Sequence, residues 1–171
     1  MNVGPGCDDD VDRIAALHVA AWRDAYRGLL PQAYLDELSV DARKAQWTRA
    51  LADPAIEVLV ARHEQTLVGL ASYGPSRDDD TDAATMELYA IYVAPRSCRQ
   101  GIGRRLWLAV RRGVAARNGA AVTLWVLQGN RAAQRFYQAQ GFVADGQHKT
   151  LTLDGTRLAE RRYVWPAARL R

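Results

Sequence analysis

The chain is short of cysteine. Its 171 residues include two, Cys7 and Cys98, and two thiols so far apart offer neither metal-ligand spacing nor a disulfide framework. A reducing, cytoplasmic setting without a metal is therefore expected. Long hydrophobic runs are missing as well: no stretch approaches the ~20 apolar residues that span a bilayer. The start, Met1-Asn-Val-Gly-Pro-Gly-Cys-Asp-Asp-Asp10, has no basic segment followed by an apolar one and does not read as a secretion signal. Strong charge of one sign is absent too. The 23 basic and 19 acidic residues leave a net charge of +4, too small to imply nucleic acid by itself. The three histidines, His18, His63 and His148, have no ligand spacing and receive no role. What remains, 49% hydrophobic and 25% charged residues, fits a globular protein, and the length suggests one domain over 1–171.

The most informative stretch is Leu88-Tyr-Ala-Ile-Tyr-Val-Ala-Pro-Arg-Ser-Cys-Arg-Gln-Gly-Ile-Gly-Arg-Arg-Leu106. It reads as a buried strand, a glycine turn and the start of an amphipathic helix. Glycine lets the backbone approach a ligand closely. The first helical turn leaves N–H groups unpaired at the positive end of the helix dipole. A phosphate or pyrophosphate is the natural guest. A dinucleotide fingerprint needs a third glycine and a later acidic residue, but Leu106 stands at the third position and Gly119 to Leu127 hold no Asp or Glu. A P-loop needs a Gly-Lys pair, which does not follow these glycines. A plain strand-to-helix link stays open on the turn alone. Arg96, Arg99, Arg104 and Arg105 flank the turn. Arg111 and Arg112 lie further along the helix and read as a solvated face, opposite Leu106, Trp107, Val110 and Val114.

A second strand and helix follow in Leu124-Trp-Val-Leu-Gln-Gly-Asn130-Arg-Ala-Ala-Gln-Arg-Phe136-Tyr137-Gln-Ala-Gln-Gly141-Phe142. Asn130 is placed to cap the helix. Ala133 shares a face with Phe136 and Tyr137, and Gly141 stands where a left-handed terminator belongs. Together the two segments resemble the GNAT superfamily of N-acetyltransferases. The first is similar to its acetyl-CoA signature [QR]-x-x-G-x-[GA], the second to N-x-x-A-x-x-F-Y-x-x-x-G-F. The resemblance runs from about Glu87 to Phe142, with weaker likeness at Trp22-Arg-Asp-Ala-Tyr26-Arg-Gly-Leu-Leu-Pro31. One position departs: Cys98 stands where Gln or Arg is usual, with Arg99 and Gln100 after it.

Along the chain, helical patterns cover Val11 to about Arg27, Pro31 to Leu38 and Ser39 to about Leu51. Ile56–Ala61 and Leu67–Tyr73 read as adjacent strands joined at hairpin length. The loop Gly74 to Asp82 carries Asp78, Asp79, Asp80 and Asp82 and reads as solvated. Strand Thr85–Val93, helix Ile102 to about Asn118, strand Val122–Leu127 and helix Arg131–Gln140 come next. A last hairpin turns at Asp154-Gly155. This order predicts an α/β (α+β) domain with a single mixed, largely antiparallel twisted sheet flanked by helices, in agreement with the GNAT fold that the resemblance implies. Asn2-Val-Gly-Pro-Gly makes a poor strand, so the first strand is expected short or absent.

The resemblance implies an acetyl-CoA-dependent N-acetyltransferase. The cofactor-binding residues would be Ile91, Tyr92 and Val93 through the main chain, then Cys98, Arg99, Gln100, Gly101, Ile102, Gly103 and Arg104 around the phosphates. Asn130, Ala133, Phe136 and Tyr137 complete the set. Tyr137 matches the family tyrosine that protonates the leaving thiolate, a role suited to a phenol of pKa ~10. Glu87, in an apolar strand, is the candidate base, with a water-facing strand carboxylate as the alternative. Tyr26 and Tyr89 are candidate acceptor-binding residues, while Trp22 and Trp47 read as core. The expected partner is a small-molecule or peptide amine, with a homodimer left open and neither nucleic acid nor membrane. A protein N-terminal or lysine acetyltransferase and a non-catalytic CoA-binding or sensing domain are the alternatives.

Overall fold

A computed structural model describes residues 1–166; the expected domain span of 1–171 includes residues 167–171, which lie outside the described residues. The elements are β1 (Asn2–Pro5), α1 (Val11–Ala25), α2 (Gln32–Asp36), α3 (Val40–Ala52), β2 (Glu57–His63), β3 (Thr66–Pro75) and β4 (Thr85–Val93). They continue with α4 (Ile102–Ala116), β5 (Ala121–Leu127), α5 (Arg131–Ala139), β6 (Val143–Leu153) and β7 (Thr156–Trp165). Seven strands make one mixed sheet in the order β1-β2-β3-β4-β5-β7-β6. The β4–β5 pairing is parallel, at Thr85↔Ala121, Met86↔Val122 and Glu87↔Thr123. The pairings of β1 with β2, β2 with β3, β5 with β7 and β6 with β7 are antiparallel. This is the expected mixed, largely antiparallel α/β fold. The first strand is present but short, four residues paired from Asn2↔Arg62 to Pro5↔Leu59. Its proline is tolerated because β1 ends the sheet, where a missing N–H leaves no partner unsatisfied.

The contacts gather the chain into two compact units. One comprises Met1–Gly74 and Leu88–Gly113, the other Pro75–Glu87 and, among the described residues, 114–166.

In the first unit, α1 repeats apolar residues at helical spacing. Ile14, Leu17 and Ala21 are buried with Trp47 of α3 and Val58, Val60 and Leu70 of the sheet. Ser39 starts α3 by accepting a bond from the Ala42 amide at 3.2 Å. Helix α4 buries Ile102, Leu106, Trp107 and Val110. It seats closely because β3 has a glycine opposite. A Cβ on Gly69 would lie 3.0 Å from both the Ile102 and Leu106 side chains.

In the second unit, β7 lies between β5 and β6. Val122↔Trp165 and Leu124↔Tyr163 pair on one side, Leu151↔Leu158 on the other. The β6–β7 turn uses Asp154 at φ +46° and Gly155 at φ +72°, the two left-handed residues of a tight hairpin. Helix α5 is capped by Asn130, whose Oδ1 accepts from the Ala133 amide at 3.0 Å. The chain leaves α5 through Gly141 at φ +93°.

Candidate active site

In the first unit the glycine turn is open. Gly101 adopts φ +78°, and a Cβ built there would meet nothing within 4 Å, so the main chain is approachable from outside. The Arg105 amide bonds the Gly101 carbonyl at 3.1 Å and closes the first turn of α4. The amides of Ile102, Gly103 and Arg104 precede it and have no acceptor within the helix. Arg99 also takes a left-handed conformation, φ +62°, which costs a side-chain-bearing residue on the order of 1 kcal/mol. Beside the turn lies a cavity of about 540 Å³ lined in part by Gln100, Gly101, Arg104, Arg105 and Arg112, with Met1 to Val3 at another wall. Arg112, two turns along α4 from Arg105, also lines this cavity and is solvent-exposed, as the solvated-face reading expects. Cys98 is exposed, with Sγ 3.6 Å from the Ala94 carbonyl. Partial burial and the charge of Asp24 push its thiol up, which keeps it protonated and a poor nucleophile.

The same unit holds an aromatic cluster. His18, 3% exposed, lies tilted against Tyr92 at 4.8 Å and 5.4 Å from Trp22, and meets Trp47 edge-on at 5.8 Å. Trp22 in turn packs edge-on against Tyr26 at 4.8 Å. Trp47 is core, as expected, while Trp22 is half-buried with Arg43 5.3 Å from its ring centre. Trp47 Nε1 donates to His18 Nδ1 at 3.1 Å. Tyr89 packs across Gly74, where an added Cβ would meet its hydroxyl at 2.7 Å. Ile91 and Val93 are half-buried residues of β4 on either side of Tyr92.

In the second unit, Glu87 is 2% exposed and does not stand alone in apolar surroundings. The Arg77 amide and Nε bond its Oε2 at 3.1 and 3.0 Å, and the Arg77 Nη2 bonds its Oε1. A second carboxylate, Glu160 on β7, was given no role by the sequence. Burial pushes its pKa up and the neighbouring negative charge of Glu87 adds to this, while Lys149 opposes it. The acidic loop is partly built into the protein. Asp78 accepts from Trp125 Nε1 at 3.0 Å, and Arg162, itself 7% exposed, pairs with Asp78, Asp80 and Asp145. Arg162 holds the Asp80 carboxyl below its usual range. Asn130 is buried, Ala133, Phe136 and Tyr137 are half-buried, and the Tyr137 ring packs edge-on against Phe136 at 5.2 Å and Phe142 at 5.6 Å.

The structure therefore gathers Cys98 to Arg104 at one turn, Tyr92, Trp22 and Trp47 around His18 with Tyr26 against Trp22, and Asn130, Ala133, Phe136 and Tyr137 along α5. Sequence reasoning missed His18, Arg77, Glu160 and Arg162. For His18 a signal existed: it is a polar residue on the apolar stripe of α1. Arg77 and Arg162 gave none, because their partners lie across a loop or on other strands. Among the described residues, no group of three His, Cys, Asp or Glu is placed to hold a metal ion, and no helix is long and apolar enough to cross a membrane.

Comparison with known proteins adds to this geometry. The family described as "Acetyltransferase (GNAT) family" matches residues 16–142. YuaI of Bacillus subtilis, an uncharacterized N-acetyltransferase, is 32% identical over 162 residues, covering 92% of this chain and 88% of its own. The probable N-acetyltransferase Rv2775 of Mycobacterium tuberculosis is 27% identical over 140 residues, covering 81% and 77%. Among solved structures, a ribosomal-protein-alanine N-acetyltransferase from Brucella melitensis superposes with a TM-score of 0.77 at 24% identity, over 97% of this chain and 99% of that one. The YncA structure from Salmonella typhimurium, described as a putative acetyltransferase with its cofactor acetyl-CoA, gives 0.74 at 20% identity, over 98% and 94%. At these identities the structural likeness is one of fold.

Proposed function

This chain belongs to the acetyltransferase (GNAT) family, and from that premise we propose that it transfers the acetyl group of acetyl-CoA to a primary amine, directly, in a ternary complex, with a small molecule as the acceptor. The observation that carries the reading is the turn at Gly101. A left-handed glycine with open space at its Cβ precedes three first-turn amides, beside a cavity lined by Arg104, Arg105 and Arg112. That arrangement suits a diphosphate: main-chain N–H groups bond its oxygens, the helix dipole favours its charge and the guanidiniums add to both. The second half of β4, Ile91 to Val93, offers main-chain groups for the extended pantetheine arm and for the thioester carbonyl.

The chemistry needs a neutral amine. An alkylamine of pKa ~10.4 is almost wholly protonated near pH 7, so a base speeds the reaction. The carboxylates of Glu87 and Glu160 divide that work. Arg77 keeps Glu87 paired, and Glu160, with its proton affinity raised, takes the proton from the ammonium. The amine nitrogen then attacks the thioester carbon. As the tetrahedral intermediate collapses the C–S bond breaks, and the Tyr137 hydroxyl gives its proton to the departing thiolate. Asn130 holds α5, and with it Tyr137, in place through its cap.

The test is a library of primary amines with acetyl-CoA, read by released CoA. Turnover with small amines supports the reading, and Tyr137→Phe then lowers kcat while acetyl-CoA binding persists. Tight acetyl-CoA binding with no turnover on any amine or peptide would make the chain a CoA-binding domain. Turnover on peptides alone would move the acceptor to protein.

A further inference from the structure

We infer that His18 and Trp22 form an oxygen-binding subsite that selects an acceptor amine carrying a carboxylate; the inference rests on the acetyl transfer proposed above. Trp47 Nε1–H donates to His18 Nδ1, so Nδ1 must carry a lone pair. The His18 pKa is lowered to about 3, by burial first and by the charge of Arg43 second. A neutral ring that accepts at Nδ1 holds its proton at Nε2. That Nε2–H is buried and has no hydrogen-bond partner, and the same is true of Trp22 Nε1–H. Two buried donors without acceptors are rare in native proteins and ask for an explanation.

Their arrangement narrows what they can bind. His18 and Trp22 are four residues apart on α1, hence on one face, and their rings are 5.4 Å apart. Both groups can only donate, so a ligand that meets them brings an acceptor and not an ammonium. Arg43, 5.3 Å from the centre of the Trp22 ring, adds positive charge at the same place. Two neutral donors and a guanidinium favour an anionic oxygen over a carbonyl, because a charge-assisted bond is the stronger. Arg43 bonds the exposed Gln46 at 2.9 Å and is the side chain that turns toward an arriving carboxylate. The rings of Tyr26 and Tyr92 offer a surface for the alkyl stem that joins carboxylate to amine.

The experiment compares 3-aminopropanoate, 4-aminobutanoate and 5-aminopentanoate with their primary amides. With the wild-type enzyme, kcat/KM for at least one carboxylate exceeds that of its amide by about tenfold or more, the size of one hydrogen bond to a charged group. Trp22→Phe, which keeps an aromatic ring and removes the donor, brings the ratio toward one, as does His18→Phe. In parallel, the indole N–H resonance of Trp22 in ¹⁵N-labelled wild-type protein is followed as each carboxylate is added, with and without CoA. A saturable shift supports the subsite. An unmoved indole resonance, equal use of carboxylates and amides, or a preference that survives both substitutions would overturn it. A rise in melting temperature with acetyl-CoA is recorded separately. If acetyl-CoA binds and amides are acetylated as well as carboxylates, this inference fails and the acetyltransferase reading stands. If acetyl-CoA does not bind, that reading fails, and the indole titration alone decides the subsite.

Discussion

Arg77 closes on Glu87 with its guanidinium and its own main-chain amide, three donors on one carboxylate. The two ends of this pair live in different surroundings, since the Arg77 side chain is 64% exposed and that of Glu87 2%. Losing the arginine strands a buried negative charge, while losing the carboxylate frees a cation that water solvates.

Arg77→Ala is therefore expected to destabilise the fold more than Glu87→Gln does. Breaking a buried pair costs several kcal/mol, and the exposure of Arg77 reduces this to roughly 1–3 kcal/mol. Denaturant melts of both variants check the order. In catalysis the order reverses: Glu87→Gln removes the charge that raises the proton affinity of Glu160, so turnover falls by about 10- to 100-fold. The loss is greatest at higher pH, where Glu160 is ionised in both proteins and only its basicity differs, and shrinks at low pH, where the lowered pKa keeps the variant's Glu160 ionised. An unchanged pH–rate profile in Glu87→Gln would remove Glu87 from the chemistry.

Gly101 carries two constraints, and substitutions separate them. Gly101→Ala places a Cβ at φ +78° and costs about 1 kcal/mol of local strain. Gly101→Asp adds a carboxylate where phosphate oxygens are expected. Its affinity for acetyl-CoA should fall more than ~100-fold, far beyond the alanine variant, because like charge and lost space act together. Isothermal titration with acetyl-CoA measures both. Equal affinities of Asp and wild type would refute the phosphate cradle.

A glycine inside α4 makes a different point. A Cβ on Gly113 would fall 1.8 Å from the hydroxyl oxygen of Tyr73, which is itself 2% exposed. Helix propensity favours alanine over glycine by about 1 kcal/mol, but overpacking a core site costs ~1–3 kcal/mol. Gly113→Ala should thus destabilise, and adding Tyr73→Phe should recover part of the loss. The double-mutant cycle should be strongly non-additive. A stabilised Gly113→Ala would mean that Tyr73 turns aside freely.

Much of the architecture was legible because it is written locally. Strand β4 was placed residue for residue by its apolar run and its flanking turns. Asp154-Gly155 fixed the last hairpin, and Asn130 and Gly141 marked the ends of α5 through backbone needs that few residues meet. The candidate site was legible where a motif is also local, at the Gly101 turn and along α5. What escaped was set by distance along the chain. His18 meets Trp47 from 29 residues away, and its spacing to the other histidines said nothing of that. Arg162 reaches Asp80 from 82 residues away and Asp78 from 84, so the acidic loop read as solvated when two of its members are anchored. Arg77 came ten residues before its partner, but only the course of the β3–β4 loop turns the two together.

The buried imidazole of His18 gives a pH dependence with a definite sign. Its pKa is near 6.5 in an unfolded chain and lowered to about 3 in the fold. Between those values the unfolded chain binds a proton that the folded one refuses, so stability rises with pH across the window and is lost as pH falls below about 6.5. One such proton is worth up to about 1.4 kcal/mol per pH unit. Most carboxylates titrate below pH 5, and Glu160, with its pKa raised, adds a slope of the opposite sign that is common to proteins with and without the imidazole, so the difference between them belongs to this histidine. His18→Phe cannot be protonated and should flatten that part of the curve, even though it forfeits the bond from Trp47 and starts from a lower stability. Urea melts of both proteins at half-unit steps from pH 5 to 7.5 give the comparison. Parallel curves would mean that the imidazole becomes charged inside the fold, and the Nε2–H that it presents at neutral pH would then no longer be guaranteed by its burial.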